Sequence, residues 1–393
     1  MGNVGYDELS TAKRFHDIDW LRTICVWLVV LGHTAAIYVG GQDVYILHSD
    51  ERSLMTDLVM AFLNTALMPL LIFLAGIGAF CALKKRDAKD FVKERFYRLL
   101  IPLAVGTLVC VPPMIYCQRL QEGSFTGSFF SFYPSFFHGI HPQGNFTYGH
   151  LWFLFYLFVF SLVCLPLFTT VYRRHGDTIS TWLMKVASRP GALLLLCIPF
   201  VIIEATLRVP FPGLQYFIND WANVTRYILL YSFGFYYAAT PGLSDAVYEQ
   251  RRIWLGLAVI GTIAIAVVTE LELLIPREEL LPPLRYSPGF MIIAGVYGGP
   301  LMWTYILAIL GYARKHLGFD HAILRRFAPI SLPFYVIHQT ILIPTGYFLL
   351  KAGVTLYPAF FIICSFTFVA TWLVADFGIR PWKVARLCFG MKG

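Results

Sequence analysis

The chain has 393 residues, of which 58% are hydrophobic and only 14% are charged, whereas a soluble domain has roughly 45–50% apolar and 25% charged residues. Lipid is therefore the expected solvent for most of the chain. The net charge of +8 does not indicate nucleic acid as a partner, because the basic residues lie in short segments between long apolar runs. Composition thus excludes an ordinary soluble domain.

Apolar segments long enough to cross a membrane follow one another along the sequence. The first is too long for a cleavable signal peptide and is expected to remain as a helix. We predict an all-α, polytopic bundle of about ten transmembrane helices, with one membrane domain at 20–380 between tails at 1–19 and 381–393. The predicted segments are 20–38, 58–83, 99–117, 151–172, 190–207, 221–241, 253–269, 286–312, 327–350 and 352–375.

The distribution of basic residues predicts the orientation of these helices. With the N-terminus in the cytoplasm, the inner segments hold 23 Lys and Arg residues and the outer segments hold six. Basic residues accumulate on the cytoplasmic side of membrane proteins. Both termini are therefore predicted to be cytoplasmic.

The first apolar segment carries two ionisable residues, Arg22 and His33. They are separated by three helical turns, so both face one side of the helix, about 16 Å apart along its axis. Ionisable groups at lipid depth usually face a protein interior or a water-filled path, and the small residues Gly32, Thr34 and Ala35 leave room for a thin ligand. Both residues are therefore candidates for a functional site inside the helix bundle. The alternative is a hydrogen-bonded packing histidine.

A basic cluster follows the second apolar segment. Within it, Arg95 and Arg98 are spaced i,i+3, which in an α-helix places both side chains on one face. Two arginines arranged in this way form a fork suited to phosphate groups. The alternative interpretation is that both are topology charges held at lipid head groups.

Further candidate residues lie at or near lipid depth. Glu204, Arg226 and His338 fall within the fifth, sixth and ninth segments, and His150 and Trp152 begin the fourth. They are candidates for an acceptor site or a channel, or the ionisable ones pair with one another structurally. No Cys or acidic residue stands at ligand spacing from the histidines of the preceding loop, so no metal site is expected.

The longest outer loop, 118–149, is rich in aromatic residues and punctuated by glycine. Aromatic rings are favoured at membrane interfaces, so one interpretation is an interfacial belt. The other is a stacking platform for a sugar-like acceptor. The sequence leaves both interpretations open.

Five motifs in chain order resemble those of acyltransferase family 3, the membrane-embedded acyltransferases. The resemblance runs from about Asp17 to Pro381, and in particular the chain looks like the glucans biosynthesis protein C branch, which modifies periplasmic glucans with succinyl groups. The motifs are the Arg22-x10-His33 pairing, PLLIFLAGIGAF in the second segment, Arg95-x-x-Arg98 in RFYRLLIP, GHLWFLFYLF from residue 149 and SLPFYVIHQT from residue 331.

The resemblance implies an enzyme of the cell inner membrane that moves an acetyl or succinyl group from cytoplasmic acyl-CoA to a hydroxyl of a glycan at the outer face. His33 would be catalytic with Arg22 as its partner, and Arg95 and Arg98 would bind the CoA phosphates. Acyl-CoA would be a donor substrate, and no cofactor would be bound permanently. His33 would act as a general base or form an acyl-imidazole. A succinyl donor would need a further cation near its acyl end, for which Arg226 is a candidate.

Two other classes of function stay open on the residues alone. A transporter or flippase would use the intramembrane Arg, Glu and His residues as a substrate or proton pathway. A non-catalytic partner of a glycan or lipopolysaccharide assembly complex would need none of these roles. Release of free CoA from acyl-CoA separates an acyltransferase from both.

Overall fold

Apolar runs of spanning length fold as helices, because a helix satisfies its backbone hydrogen bonds within itself when water is absent. The computed structural model is helical throughout, with no strand among the residues that it describes. The all-α prediction is confirmed for those residues. They are 16–39, 46–211, 213, 217–274 and 288–391.

Parts of the predicted tails and loops lie outside the described residues. These parts are 1–15 of the N-terminal tail, 392–393 of the C-terminal tail, and 40–45, 212, 214–216 and 275–287 in the loops. The basic residues that they carry, including Arg277, contribute to the predicted topology through the sequence alone.

The α-helices follow one another from α1 near the N-terminus to α17 near the C-terminus. They are α1 (His16–Ala36), α2 (Leu54–Leu83), α3 (Ala88–Arg95), α4 (Ile101–Val109), α5 (Pro112–Gln121), α6 (Phe129–Phe132), α7 (Trp152–Val163), α8 (Tyr172–Ala187), α9 (Ile198–Leu207), α10 (Trp221–Ala239), α11 (Leu243–Glu249), α12 (Arg251–Leu274), α13 (Pro288–His316), α14 (Ala322–Phe327), α15 (Ser331–Lys351), α16 (Leu356–Leu373) and α17 (Lys383–Cys388). Segments of 3-10 helix, which is wound more tightly than an α-helix, and of π-helix, which is wound more widely, connect or extend these helices. The π-helical segments are Phe96–Leu100, Leu167–Val171 and Val374–Ile379, and the 3-10 segments are Tyr133–Phe137, Gly149–Leu151, Ala192–Cys197, Phe217–Asn219 and Ala328–Ile330.

Six helical stretches of the described residues are long and apolar enough to cross a membrane. A further span would come from Gly149–Val163 and Leu167–Ala187 taken together, which are bent by 45° at the break between them. The chain is thus a multi-pass membrane protein, while ten spans and cytoplasmic termini stay predictions. The six stretches are His16–Ala36, Leu54–Leu83, Ala88–Gln121, Gly295–His316, Ala322–Lys351 and Leu356–Ile379.

Helix α1 is surrounded by protein, since it packs against α2, α13, α15 and α16. The small residues beside His33 serve this packing: Thr34 and Ala35 are fully buried, and a Cβ added to Gly32 would lie 3.2 Å from Leu63 Cδ1. Small residues let membrane helices approach closely. The sequence suggested that these small residues leave space for a thin ligand. At Gly32 that space is instead filled by the close approach of α1 to α2.

Helices α2 and α10 cross in backbone contact. A Cβ on Gly76 of α2 would lie 2.0 Å from the Tyr231 carbonyl oxygen, and one on Gly234 of α10 would lie 1.9 Å from the Phe73 carbonyl oxygen. No side chain fits either position. Reciprocal glycines of this kind are a common device for close helix packing in membranes.

Prolines interrupt the regular α-helical geometry of the predicted third segment, 99–117, which lies within the continuous stretch Ala88–Gln121. Pro102 offers no N–H, and its ring would meet the carbonyl of Arg98 in a regular α-helix. The chain widens there into the π-helical segment Phe96–Leu100, which ends with the Ile101 N–H donating to the Phe96 carbonyl. Pro112 likewise leaves the Leu108 carbonyl without its helical donor, and the Tyr133 hydroxyl of the outer loop donates to it at 3.0 Å.

Candidate active site

Three imidazole rings come together from distant parts of the chain, and we call them the histidine row. His33 is on α1, His150 is in the 3-10 segment before α7, and His338 is on α15. The His33 and His338 rings stack with centroids 5.2 Å apart and planes 29° apart. His150 meets His338 edge to face, with centroids 5.1 Å apart. The structure thus joins His150 and His338 to the predicted catalytic residue.

Tyr335 and Val336 of α15 hold two of these rings in place. The Tyr335 hydroxyl donates to the backbone carbonyl of His150. One turn along α15, Nδ1 of His338 lies 2.6 Å from the Tyr335 carbonyl oxygen, and Nε2 of His150 lies 3.0 Å from the Val336 carbonyl oxygen. Both rings are buried, at 0% exposed for His338 and 6% for His150. Each is therefore oriented by a backbone carbonyl of α15.

Arg22 lies three turns below His33 on α1, and its side chain turns to the neighbouring helix α2. Its guanidinium donates to the Leu74 carbonyl oxygen at 2.8 Å and lies 3.6 Å from the Asp19 carboxylate. Gly78 makes room for it, because a Cβ there would lie 2.9 Å from an Arg22 terminal nitrogen. Arg22 is thus held by α2 rather than by the histidine row.

Arg95 and Arg98 have different surroundings although they are three residues apart. Arg95 lies over the Phe91 ring, with its guanidinium carbon 4.6 Å from the ring centroid. Within the described residues its buried Nε atom has no hydrogen-bond partner. Arg98 lies 3.6 Å from the Glu94 carboxylate and donates to the Gly390 carbonyl at 3.4 Å.

The π-helical segment changes the expected geometry of this pair. An i,i+3 spacing places both side chains on one face of a regular α-helix, but Arg98 lies within Phe96–Leu100, where the turn is wider. The charges of Arg22, Arg95 and Arg98 nevertheless lie close enough to act on one another. We call these three residues the arginine cluster. Arg22, predicted as the partner of His33, belongs to this cluster in space.

Glu204 and Arg226 pair with one another, which was one of the two interpretations of the sequence. Glu204, with its side chain 3% exposed, accepts from Arg208 through both oxygens at 2.7 and 2.9 Å and from Arg226 at 3.1 Å. Both arginines also donate to Asn223 Oδ1. A Cβ on Gly295 would lie 2.8 Å from Glu204. This ionic network joins α9 to α10 and lies against α13.

The network continues towards Trp152. Asn223 donates to one oxygen of Asp220 at 2.8 Å, and the Tyr156 hydroxyl donates to the other at 2.6 Å. Trp152 contacts the Tyr156 ring at 5.1 Å between centroids and stacks on Tyr227 at 5.7 Å with planes 18° apart. The sequence candidates therefore divide into two groups: His150 and His338 join His33, whereas Glu204, Arg226 and Trp152 belong to this network.

The aromatic outer loop is folded around Arg119. Its guanidinium donates to Asn145 Oδ1 at 2.8 Å and to the carbonyls of Pro142 and Gly144 at 2.8 and 2.6 Å. His141 faces this centre, and burial lowers the pKa of its ring, with the Arg119 charge lowering it further. Several apolar side chains stay exposed, the extreme being Phe130 at 85%. Exposed rings on an ordered loop fit both the interfacial belt and the acceptor platform.

No three or more His, Cys, Asp or Glu side chains converge as a metal site would require, within the part of the chain that the structure describes. Within the described residues, the histidine row makes ring contacts and has two backbone carbonyl partners. A neutral imidazole can take up a proton.

Several residues of these clusters were not predicted from the sequence. Tyr335 could have been suspected, because it stands one turn before His338 in FYVIH and so shares its face. Arg208 follows Glu204 by four residues, which is the usual spacing of a helical ion pair. The backbone acceptors, such as the Leu74 carbonyl, have no sequence signature.

The fold and these clusters define a class: a multi-pass helical membrane protein with a buried imidazole site and a separate arginine cluster, each of which includes one residue of α1. A family model for an acyltransferase domain, that of acyltransferase family 3, matches residues 15–376. The chain belongs to this family, which implies that it is an acyltransferase. No curated protein and no solved structure matches the sequence.

Proposed function

We propose that this protein is an acyl-CoA-dependent O-acyltransferase of the cell inner membrane. It moves an acetyl or succinyl group from cytoplasmic acyl-CoA to a hydroxyl of a glycan at the outer face, as the resemblance to the glucans biosynthesis protein C branch suggests. Membership of acyltransferase family 3 supports the acyl transfer. The donor, the acceptor and the roles of the residues are the proposal.

The observation that carries the proposal is that helix α1 contributes one residue to each of the two clusters. Arg22 of the arginine cluster and His33 of the histidine row are both on α1, about 16 Å apart along its axis. That separation suits the pantetheine arm of CoA, with phosphates at one end and a thioester at the other. The channel that would hold the arm stays a prediction.

The arginine cluster suits the phosphates of the donor. Arg95 has a ring contact with Phe91 and no acidic partner within the described residues, so its charge is available to a ligand. Arg98 can join it by exchanging its long contacts to Glu94 and Gly390. Guanidinium groups bind phosphate through parallel, charge-assisted hydrogen bonds.

His33 acts on the acceptor hydroxyl. A neutral imidazole nitrogen takes the hydroxyl proton as the oxygen attacks the thioester carbonyl. The oxygen–acyl bond forms, the carbon–sulfur bond breaks, and the proton passes to the departing thiolate. The alternative is acyl transfer to the His33 ring followed by attack of the hydroxyl.

The acyl group and the acceptor are chosen elsewhere in the site. Arg226, the sequence candidate for a succinyl carboxylate, shares Glu204 with Arg208, so its charge is balanced inside the protein. It is a weaker succinyl anchor than its sequence position suggested. Both donors therefore enter the test. The outer loop around Arg119 and the rings near Trp152 are the proposed acceptor side.

The test uses the purified full-length protein in lipid nanodiscs. It is incubated with acetyl-CoA or succinyl-CoA and an extract of envelope glycans, and free CoA thiol and glycan mass are measured. We expect thiol release with one donor and a glycan mass increase matching its acyl group. Absence of thiol release with both donors, together with glycan uptake by proteoliposomes, would favour the transporter alternative instead.

The proposed orientation has its own test. Cysteine introduced at Lys89, before Arg95, is predicted to be labelled only from the cytoplasmic side, and cysteine at Ser124 in the outer loop only from the outside. Labelling of residue 89 from the outer side would overturn the orientation and with it the direction of transfer.

A further inference from the structure

His338 is fully buried and contacts both other rings of the histidine row. The proposed transfer assigns it no role beyond lining an acceptor site or channel. Its hydrogen bonding determines what it can do.

The partner of Nδ1 fixes the tautomer of His338. The Tyr335 carbonyl oxygen, 2.6 Å away, can only accept a hydrogen bond. Nδ1 therefore carries the hydrogen, and in the neutral ring Nε2 carries a lone pair. The neutral form is the one expected at this position, because none of the ring or hydrogen-bond neighbours of His338 in the described part of the chain is a carboxylate.

The lone pair of His338 Nε2 is buried and has no donor among the described residues. The same holds for Nδ1 of His150, whose Nε2 faces the Val336 carbonyl. Buried polar atoms in folded proteins nearly always have a partner, and an unpartnered atom needs an explanation, of which a catalytic role is one. The histidine row therefore holds two acceptors with no donor among the described residues, and the one on His338 belongs to the ring that stacks on His33.

We propose that His338 is a positioning residue for the acyl transfer, acting through His33; this rests on the proposed function. When His33 takes the proton of the acceptor hydroxyl, a turn of its ring about the Cβ–Cγ bond exchanges the stacked contact for an N–H donated to His338 Nε2. The proton is held between the two imidazoles until it reaches the thiolate of the leaving CoA. No other bond changes: the oxygen–acyl bond forms and the carbon–sulfur bond breaks as before.

This role is the one that a carboxylate has in a Ser-His-Asp triad, where it orients the base and stabilises the imidazolium that forms. A neutral imidazole with a fixed lone pair does the same without a buried negative charge. The backbone carbonyl of Tyr335 is then the outermost member of the arrangement, because it sets which His338 nitrogen faces His33.

The test compares two substitutions that separate the nitrogens of His338. His338→Asn retains a donor near the Nδ1 position for the Tyr335 carbonyl and removes the acceptor at Nε2. His338→Gln places an amide oxygen near the Nε2 position and loses the donor to Tyr335. We expect kcat for acyl transfer to fall about 10²-fold or more in His338→Asn and to stay within about tenfold in His338→Gln, with the KM for acyl-CoA changed less than about twofold in both.

The same substitution in a His33→Ala background separates a role through His33 from a role in folding. We expect His338→Asn to add nothing to the loss caused by His33→Ala, measured per folded protein by size-exclusion chromatography. A wild-type kcat in His338→Asn, an equal fall in Asn and Gln variants, or an additive loss in the double variant would overturn the proposal. Failure of the proposed function is distinct, because the wild-type protein would then release no CoA.

Discussion

Arg22 donates a hydrogen bond to the Leu74 carbonyl oxygen at 2.8 Å, and it reaches that oxygen across Gly78 on the next turn of α2. A side chain at residue 78 would collide with the guanidinium, since even a Cβ would lie 2.9 Å from it. The contact ties α1 to α2 at the level of the arginine cluster. The position of one arginine of this cluster therefore depends on a glycine of another helix.

We expect Gly78→Ala to displace the Arg22 guanidinium and weaken acyl-CoA binding on the order of tenfold, because one charge-assisted hydrogen bond is worth about 1.5–3 kcal/mol. Folding should be little affected, since the flexible end of Arg22 can move away. Titration calorimetry with acetyl-CoA measures the effect. Gly256→Ala on α12, where an added Cβ meets nothing within 4 Å, is the control. Equal affinity in both variants would remove Arg22 from the donor site.

Arg95 and Arg98 should contribute unequally to donor binding. Arg95→Ala is expected to weaken acyl-CoA binding tenfold or more, because Arg95 brings a guanidinium with no acidic partner among the described residues. Arg98→Ala should cost less, because Arg98 must first give up Glu94 and the Gly390 carbonyl. Filter binding of radiolabelled acetyl-CoA measures both. Unchanged binding by Arg95→Ala would mean that the pair are topology charges.

Glu204 is expected to stabilise the fold through its ion pairs with Arg208 and Arg226. Glu204→Gln leaves Arg208 and Arg226 without their shared carboxylate, and breaking a buried ion pair from one side costs about 3–5 kcal/mol. The variant should melt at lower temperature in detergent, while its folded fraction retains acyl transfer. Asp320→Asn removes an exposed pair with Arg325 and should leave the melting temperature unchanged. Loss of turnover in a normally stable Glu204→Gln protein would place Glu204 in the acceptor path.

The crossing of α2 and α10 predicts a further stability effect. Gly234→Ala brings a methyl group to 1.9 Å from the Phe73 carbonyl oxygen, and overpacking of this kind typically costs about 1–3 kcal/mol. Thermal unfolding against the same Gly256→Ala control tests it. A melting temperature equal to that of the control would show that the two helices separate easily.

The helices were largely predictable, because apolar runs of spanning length have little choice of structure in lipid. The first predicted segment, 20–38, corresponds to α1, and the ninth, 327–350, to α15 with the turn before it. The third, 99–117, lies within the single stretch Ala88–Gln121, whose α-helical geometry is interrupted before Pro102 and Pro112. The prolines predict an irregularity in the helix. Whether it becomes a π-turn, a kink or a new helix depends on how neighbouring parts of the chain pack against it.

The candidate site was predictable only in part. His33 was a clear candidate in the sequence, because an ionisable group at lipid depth is energetically costly and usually has a function. Its stacking on His338, which in turn meets His150, could not be foreseen, since it depends on how α15 packs against α1 and against the start of α7. The Arg95 and Arg98 spacing was interpreted with α-helical geometry, which the π-helical segment alters at Arg98.

The catalytic role of His33 is tested most directly by His33→Ala. CoA release and acyl-CoA affinity are measured on the same nanodisc preparation, with the natural glycan extract as acceptor. We expect acyl transfer to fall by about 10²–10⁴-fold while acyl-CoA affinity and melting temperature stay near those of the wild-type protein. A packing histidine would instead lower stability and spare the turnover of the folded fraction. Near-normal transfer by a well-folded His33→Ala protein would contradict the catalytic role of His33.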